Sequence, residues 1–323
     1  MKKILIAFIL LVFVIFSQAQ AETINLGVAE FVNRTGINYT LPGQLTKIFA
    51  DILASYSSNI NVISSKSFQA LNSHTPEEAS KIAKSSGCKY IVLGALINEN
   101  MTTSNIMKPG LLYSTPVATV QTQTINISVR LIEVDTGKII LSVSGTGSGS
   151  FTYKIKEYAK DAAAKEGMQK ILARQEKNKE SAFSAASSMA AEKISVFLTG
   201  EYPEVTSVKV ISSSKQAKKK NAKPSTVIIN KGTSSGVGEK TFYKIFYEGS
   251  EIFNSKGDSI GREKFNLAVA EVVSVKAHNS TANITGGSAN NIRKGDKAEQ
   301  ITPDEAQLII DNNDFVSKRL RNL

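Results

Sequence analysis

Apolar positions along the chain fall into two regimes. Up to about residue 200, stretches that alternate with a period of two are interleaved with stretches at helical spacing; from residue 225 to 301 only the shorter period recurs. TINLGVAEF (23–31) alternates well enough to be a strand. In LPGQLTKIFADILASYSSN (41–59), Leu45, Ile48, Phe49, Ile52, Leu53 and Tyr56 fall on one face of a helix, which predicts an amphipathic helix packed on a sheet. NINVIS (59–64) is a short second strand. TPEEASKIAKSSG (75–87) opens a second helix with Thr75 as N-cap, Pro76 at the first helical position and two glutamates near the positive end of the helix dipole. KYIVLGALI (89–97) is a strand, so the order strand, helix, strand, helix, strand predicts a mixed α/β unit.

VATVQTQTINISVRLIEVDTGKIILSVSGTG (117–147) reads as two antiparallel strands joined at Asp135, Thr136 and Gly137. Two helices, from about Lys154 to Ala173 and from Ser181 to Leu198, close this half, the second carrying Phe183, Ala186, Ala190 and Phe197 on one stripe. Residues 225–301 are short strands with a turn signal every few residues, which predicts an all-β unit, a small barrel. The predicted fold class is therefore α+β.

Charge places the division between the halves. SSSKQAKKKNAKPS holds five lysines and no apolar residue larger than alanine, and a mature chain of about 300 residues is long enough for two domains. The predicted organisation is a signal peptide at 1–21, an α/β domain at 22–211, a Lys-rich linker at 212–224, a small all-β domain at 225–301 and a C-terminal helical tail at 302–323. Lys2 and Lys3 precede an apolar run from Ile4 to Phe16, and small residues stand at Ala19 and Ala21, so cleavage is predicted between Ala21 and Glu22. The run is short of the ~20 residues that span a bilayer, and no later segment is long and apolar enough, so no transmembrane helix is expected in the mature chain. The lone cysteine, Cys88, lies far from the apolar run and gives no lipid-attachment site. A periplasmic location, peripheral at the outer membrane, is expected.

The formal net charge is +11, two of which belong to Lys2 and Lys3. In an exported protein without aromatic residues among its lysines, nucleic acid is not the expected partner; the linker is expected to stay solvated or to touch an anionic surface.

Candidate chemistry is thin. VIINKGTSSGVGEKTFYKIF (227–246) has the glycines of a phosphate-binding loop, but Glu239 separates Gly238 from Lys240, and TFYKIFYEG has strand composition where a phosphate loop needs a helix. A β-hairpin is predicted there instead. Asp135-Thr136-Gly137 matches the aspartic protease tripeptide, yet its flanks alternate as one continuous hairpin. SGTGSGS (144–150) lacks the GxGxxG spacing of a dinucleotide site. Cys88 reads as a buried structural thiol, and His74 and His278 as exposed loop residues with no metal-ligand spacing to it. No catalytic, cofactor-binding or metal-binding residue is assigned, and no cofactor is expected.

INLGVAEFVNRTG (24–36), GCKYIVLGALI (87–97) and VRLIEVDTGKIILSVSGTG (129–147) together resemble the CsgG family and the related TolB N-terminal-type domain over about Thr23 to Gly200. The resemblance implies an α/β sandwich of that type. Residues 225–301 are similar to the C-terminal domain of the flagellar assembly protein FlgT, carried by Ile229, Asn230, Gly232, Gly236 and Val237, by Gly261, and by Gly295 with Asp296. These glycines are expected to supply positive φ at tight turns. The function implied is that of a non-enzymatic cell-envelope assembly or adaptor protein, acting by contact with envelope proteins and by self-association in ring-shaped assemblies. The alternative is a CsgG-like outer-membrane secretion channel component for curli-type substrates. Against it, neither face of VATVQTQTIN is apolar enough for lipid, and the region after Ser150 reads as helix where a second spanning hairpin would stand.

Overall fold

The computed structural model describes residues 23–35, 42–63, 68, 75–110, 113–162, 165–210 and 224–316. The predicted signal peptide, His74 and all but the last residue of the predicted linker lie outside them. Among the described residues the chain is mixed α+β, with two six-stranded sheets and five α-helices.

The first sheet has the order β3-β1-β4-β5-β6, with β2 beside β4. Its strands are β1 (Ile24–Val28), β2 (Val32–Asn33), β3 (Ile60–Ile63), β4 (Tyr90–Lys108), β5 (Thr115–Glu133) and β6 (Lys138–Lys154). β1 runs parallel to β3 and β4, whereas β4, β5 and β6 form an antiparallel meander. Helix α1 (Pro42–Tyr56) buries the predicted stripe: Phe49, Ile52 and Leu53 pack with Leu26, Ile127, Val129, Phe183 and Ala186 on one face of the sheet. Helix α2 (Pro76–Ser85) starts as its sequence requires, with Thr75 and Glu78 exchanging the two hydrogen bonds of a capping box, and its Ala79 and Ala83 cover Ile91, Leu93 and Ile132 on the other face.

Two predictions about this half are corrected. β4 does not stop near Ile97 but continues to Lys108. The helical region divides earlier than predicted, into α3 (Ile155–Ala162) and a 35-residue α4 (Lys165–Thr199). EKNKES (176–181) has no apolar periodicity, but its Glu and Lys are good helix formers, and Lys179 finds a partner on the sheet, so the helix runs through it.

The second sheet has the order β12-β9-β10-β11-β8-β7, antiparallel throughout. It comprises β7 (Val205–Lys209), β8 (Thr226–Ile229), β9 (Phe242–Phe253), β10 (Ser259–Val275), β11 (Ser280–Gly287) and β12 (Lys297–Ile301); α5 (Pro303–Asp311) packs Ala306 against Val269 and Ile301. β7 precedes the lysine stretch in sequence yet belongs to this sheet. The predicted small barrel is not a fully closed one. β7 and β12, five residues each, end the ladder; the chain just before and into β7 approaches β12 at an isolated bridge, Glu204 to Lys297, with backbone hydrogen bonds from Val205 N to Asp296 O, Gly295 N to Val205 O and Ala298 N to Pro203 O, each 2.8 Å. The hairpin predicted across 227–246 is also corrected: β8 pairs with β7 and β11, and β9 with β10 and β12. The glycine-rich stretch is a crossover that packs on α1 and α4, where a β-carbon on Gly236 would lie 2.7 Å from Ile52 Cδ1 and from the Ser184 carbonyl oxygen.

Helix α4 joins the two halves because it has two useful faces. Ala182, Ala186, Ala190 and Ile194 recur at spacings of four and face the first sheet; Phe197, predicted on this stripe, is half exposed. Ser188, Glu192 and Ser195 form a polar stripe beside it. Ser188 Oγ shares a hydrogen bond with Tyr56 Oη (2.8 Å) and donates to Gln300 Oε1 (2.9 Å), and Gln300 N donates to Glu192 Oε1 (2.8 Å).

Candidate assembly surface

Beyond Leu96 and Ile127 the meander leaves α2 behind and becomes a three-stranded arm of β4, β5 and β6. One face of the arm is covered by α4. Alternation on β6 places Gly145, Gly147 and Gly149 on that face, where β-carbons would fall 2.0 Å, 2.1 Å and 2.5 Å from the carbonyl oxygens of Ala186, Ala182 and Asn178. Two strand residues advance about 6.7 Å and four helix residues about 6.0 Å, so successive glycines meet successive helical turns. The SGTGSGS motif is thus a seat for a helix backbone.

Further out, the covered face becomes polar. Gln121 and Gln123 are buried at 8% and 3% exposure, and Gln123 Nε2 donates to Glu99 Oε1 (2.9 Å). Lys179 of α4 reaches the same oxygen at 3.2 Å, over a Glu99 side chain only 5% exposed. Arg174 lies 4.5 Å from the centre of the Tyr153 ring. The outer half of α4 is therefore held to the arm by charge and hydrogen bonding.

The opposite face carries rows of uncharged polar side chains in register: Asn98, Asn126 and Thr146; Asn100, Thr124 and Ser148; Thr102, Thr122 and Ser150. No helix covers these rows among the described residues, and β4 and β6 are both edge strands along the arm. Unpaired edges template further pairing, and proteins usually guard them with charge or proline; β6 has neither from Ile139 to Tyr153. The tip of the β4–β5 hairpin is apolar and exposed, with Ile106, Met107 and Val117 between 41% and 48% and Tyr113 at 82% exposure. Lys108 is the single charged residue between Asn100 and Val129.

The motifs weighed in the sequence fall elsewhere. Asp135 is exposed in the β5–β6 turn and pairs with Lys84 at 3.0 Å, while Gly137 takes φ 68°. In the 230–241 crossover, Glu239 and Lys240 are both exposed, a single 3₁₀ turn (Thr233–Ser235) precedes them, and no helix follows. Lys240 holds φ 65° while its N–H donates to Val272 O. Cys88 is buried at the start of β4, and desolvation pushes its thiol up. His278 is exposed in the β10–β11 turn. Among the described residues no group of three or more His, Cys, Asp or Glu side chains could hold a metal ion, and no helix is long and apolar enough to cross a membrane. A cavity of about 600 Å³ between α1 and β3 mixes Glu30, Lys47 and Asp51 with Val62, Ile63 and Phe68 and brings together no catalytic set.

The sequence model of the family described as the curli production assembly/transport component CsgG matches residues 60–227. No curated protein sequence matches the chain. Similar solved structures include the PelC dodecamer from Paraburkholderia phytofirmans, 16% identical over 40% of this chain and 72% of that one, with a TM-score of 0.22. The LpoB C-terminal domain from Escherichia coli is 16% identical over 40% and 85%, with a TM-score of 0.27. Lipoprotein GNA1162 from Neisseria meningitidis is 15% identical over 48% and 96%, with a TM-score of 0.24.

Proposed function

Because the chain belongs to the CsgG family, we propose that it is a non-enzymatic cell-envelope protein that works by assembly, with copies of itself and with envelope partners, through the three-stranded arm. The observation that carries this reading is the arm itself, with two open edge strands, an uncharged polar face and an apolar tip, on a chain whose net charge is otherwise strongly positive. The proposal includes a periplasmic location peripheral to the outer membrane, a domain division moved from 212–224 to before β7, since β7 pairs with β8 across that lysine stretch, and contact of the lysine stretch with anionic surfaces. It also keeps a TolB-like character for the first half and a FlgT-like one for 225–301. Positive φ at Gly236 (74°) and Gly295 (91°) supports the turn roles given to them; Gly261 (133°) lies inside β10 at a register shift rather than in a turn, and Gly232, at φ −143°, has no such requirement.

A secretion channel is the second reading, favoured by the length of the arm strands. The arm's construction weighs against it. β4 and β6 run in the same direction, since each is antiparallel to β5, so like-oriented copies joined edge to edge would pair β6 with the next copy's β4 in parallel. Membrane barrels use antiparallel strands in even number, with one face apolar. Here one face is hydroxyl and amide and the other lies under α4.

Sedimentation of the exported chain, from Glu22 onward, in detergent-free buffer tests the proposal. Assemblies that form there and are spared or strengthened by salt are expected, because screening weakens repulsion between lysine stretches. Rings that need detergent, together with stable single-channel conductance in a planar bilayer, would overturn it in favour of the channel.

A further inference from the structure

Glu192 lies on the polar stripe of α4, at the seam with the second sheet, and is 1% exposed. Its two oxygens are treated differently. Oε1 accepts from Gln300 N of β12 at 2.8 Å, whereas Oε2 is buried with no hydrogen-bond partner among the described residues. An anionic carboxylate would leave half its charge without a donor there, while a neutral one carries its proton on Oε2 and keeps the Gln300 bond. The rest of the seam is polar as well. Lys231 Nζ donates to Tyr56 O (2.8 Å) and lies 4.6 Å from the Tyr56 ring centre; Ser55 Oγ donates to Ser235 Oγ (3.0 Å). Seams made of polar contacts leave the joined units free to move relative to each other.

We propose that Glu192 is a proton-operated latch: its neutral carboxyl holds β12 and the 231–241 crossover against α4 and α1, and its ionisation releases them. The device goes beyond the assembly reading and does not depend on it. The groups facing Glu192 are Tyr56 from α1, Lys193 beside it on α4, Lys231 from the crossover, Tyr243 from β9 and Glu299 from β12, while Glu201 acts in turn on Lys231. Burial dominates and pushes the Glu192 carboxyl up to about 8; Glu299 adds to the rise, and the Gln300 hydrogen bond, Lys231 and Lys193 oppose it. Burial also lowers Lys231, which Glu192 and Glu201 partly restore, and raises Tyr56 and Tyr243, so neither tyrosine competes for the charge. A carboxyl whose value is higher in the closed state contributes its stabilisation in full below the ordinary 4.5 and loses it as the pH climbs to about 8.

Hydrogen exchange of the Gln300 amide in the full chain reads the latch directly, because this N–H is the one bonded to Glu192. After correction for the intrinsic pH dependence of exchange, its protection should fall about tenfold per pH unit between 6 and 8 and then level off. In Glu192→Gln, which imitates the neutral acid, protection should not vary with pH. Lys231→Met removes a cation that favours the ionised form, so levelling should move to higher pH; this variant decides the matter if Glu192→Gln fails to fold. Equal pH slopes in wild type and Glu192→Gln, or an unmoved transition in Lys231→Met, would overturn the latch.

Discussion

Gly147 faces Ala182 so closely that a β-carbon on the glycine would lie 2.1 Å from the Ala182 carbonyl oxygen. The obstacle is helix backbone, which cannot swing aside as a side chain can. Gly147→Ala is therefore expected to lift α4 off β6 and to cost about 1 to 3 kcal/mol, the range for overpacking a well-fitted interior. The melting temperature should drop by several degrees. Gly238→Ala is the control, since nothing lies within 4 Å of the added carbon and its φ is not positive; it should melt close to wild type. A Gly147→Ala protein that melts with the control would mean that α4 is not seated on the glycines.

The pair of Lys179 and Glu99 gives a second measurable consequence. Glu99 Oε1 takes both Lys179 and Gln123, while Oε2 is buried without a hydrogen-bond partner among the described residues, so removing the lysine leaves a carboxylate in a site that suits it poorly. Lys179→Met should destabilise the chain by roughly 3 kcal/mol, the lower end for breaking a buried pair, since the lysine is a quarter exposed. Adding Glu99→Gln should recover most of that loss. A double-mutant cycle by denaturant unfolding measures the coupling; additive effects would show that the pair does not hold the outer half of α4.

What the sequence disclosed and what it hid follow from the range of the interactions. The α1 stripe, the Thr75 cap and the Asp135–Gly137 turn are local arrangements and were legible. The outer arm was not, because β5 keeps its alternation while its inward residues change from Ile125 to Gln123 and Gln121, and polar residues carry no burial signal without knowledge of α4. Three glycines at a spacing of two on one strand face were the available clue to a close approach. The Gly-rich crossover was read as a hairpin because turn chemistry tells where a chain bends and not which strands it joins. Glu192 was invisible for the same reason as Gln123: its burial comes from β12, more than a hundred residues away.

Lys240 separates the crossover from a phosphate-binding loop. Its φ of 65° accompanies the hydrogen bond from its N–H to Val272 O, its side chain is exposed like that of Glu239, and a strand rather than a helix follows. Calorimetric titration with ATP or GTP should show no saturable heat in wild type. Lys240→Ala should leave stability within about 0.5 kcal/mol of wild type, as surface substitutions generally do. Lys240→Val should cost more, because a β-branched residue tolerates positive φ poorly. Saturable nucleotide binding that Lys240→Ala abolishes would restore the phosphate-loop reading.

The tip of the β4–β5 hairpin provides the sharpest test of assembly through the arm. Tyr113 is 82% exposed, so its side chain contributes little to the fold of the single chain, yet an exposed aromatic beside Met107 and Val117 is the kind of residue that anchors interfaces. If the tip is buried on assembly, Tyr113→Asp places a charge in a desolvated contact. The loss of an interface anchor is worth about 2 kcal/mol or more, so the concentration for half-assembly should rise roughly 30-fold. The melting temperature of the dilute protein should stay unchanged. Ile260, 63% exposed on the β9–β10 hairpin of the other sheet, supplies the comparison. Ile260→Asp removes as prominent an apolar side chain from a different hairpin and should leave the sedimentation profile as in wild type. If the two substitutions act alike, loss of exposed apolar surface explains the effect and the arm loses its special role. If Ile260→Asp alone weakens assembly, the contact belongs to the second sheet.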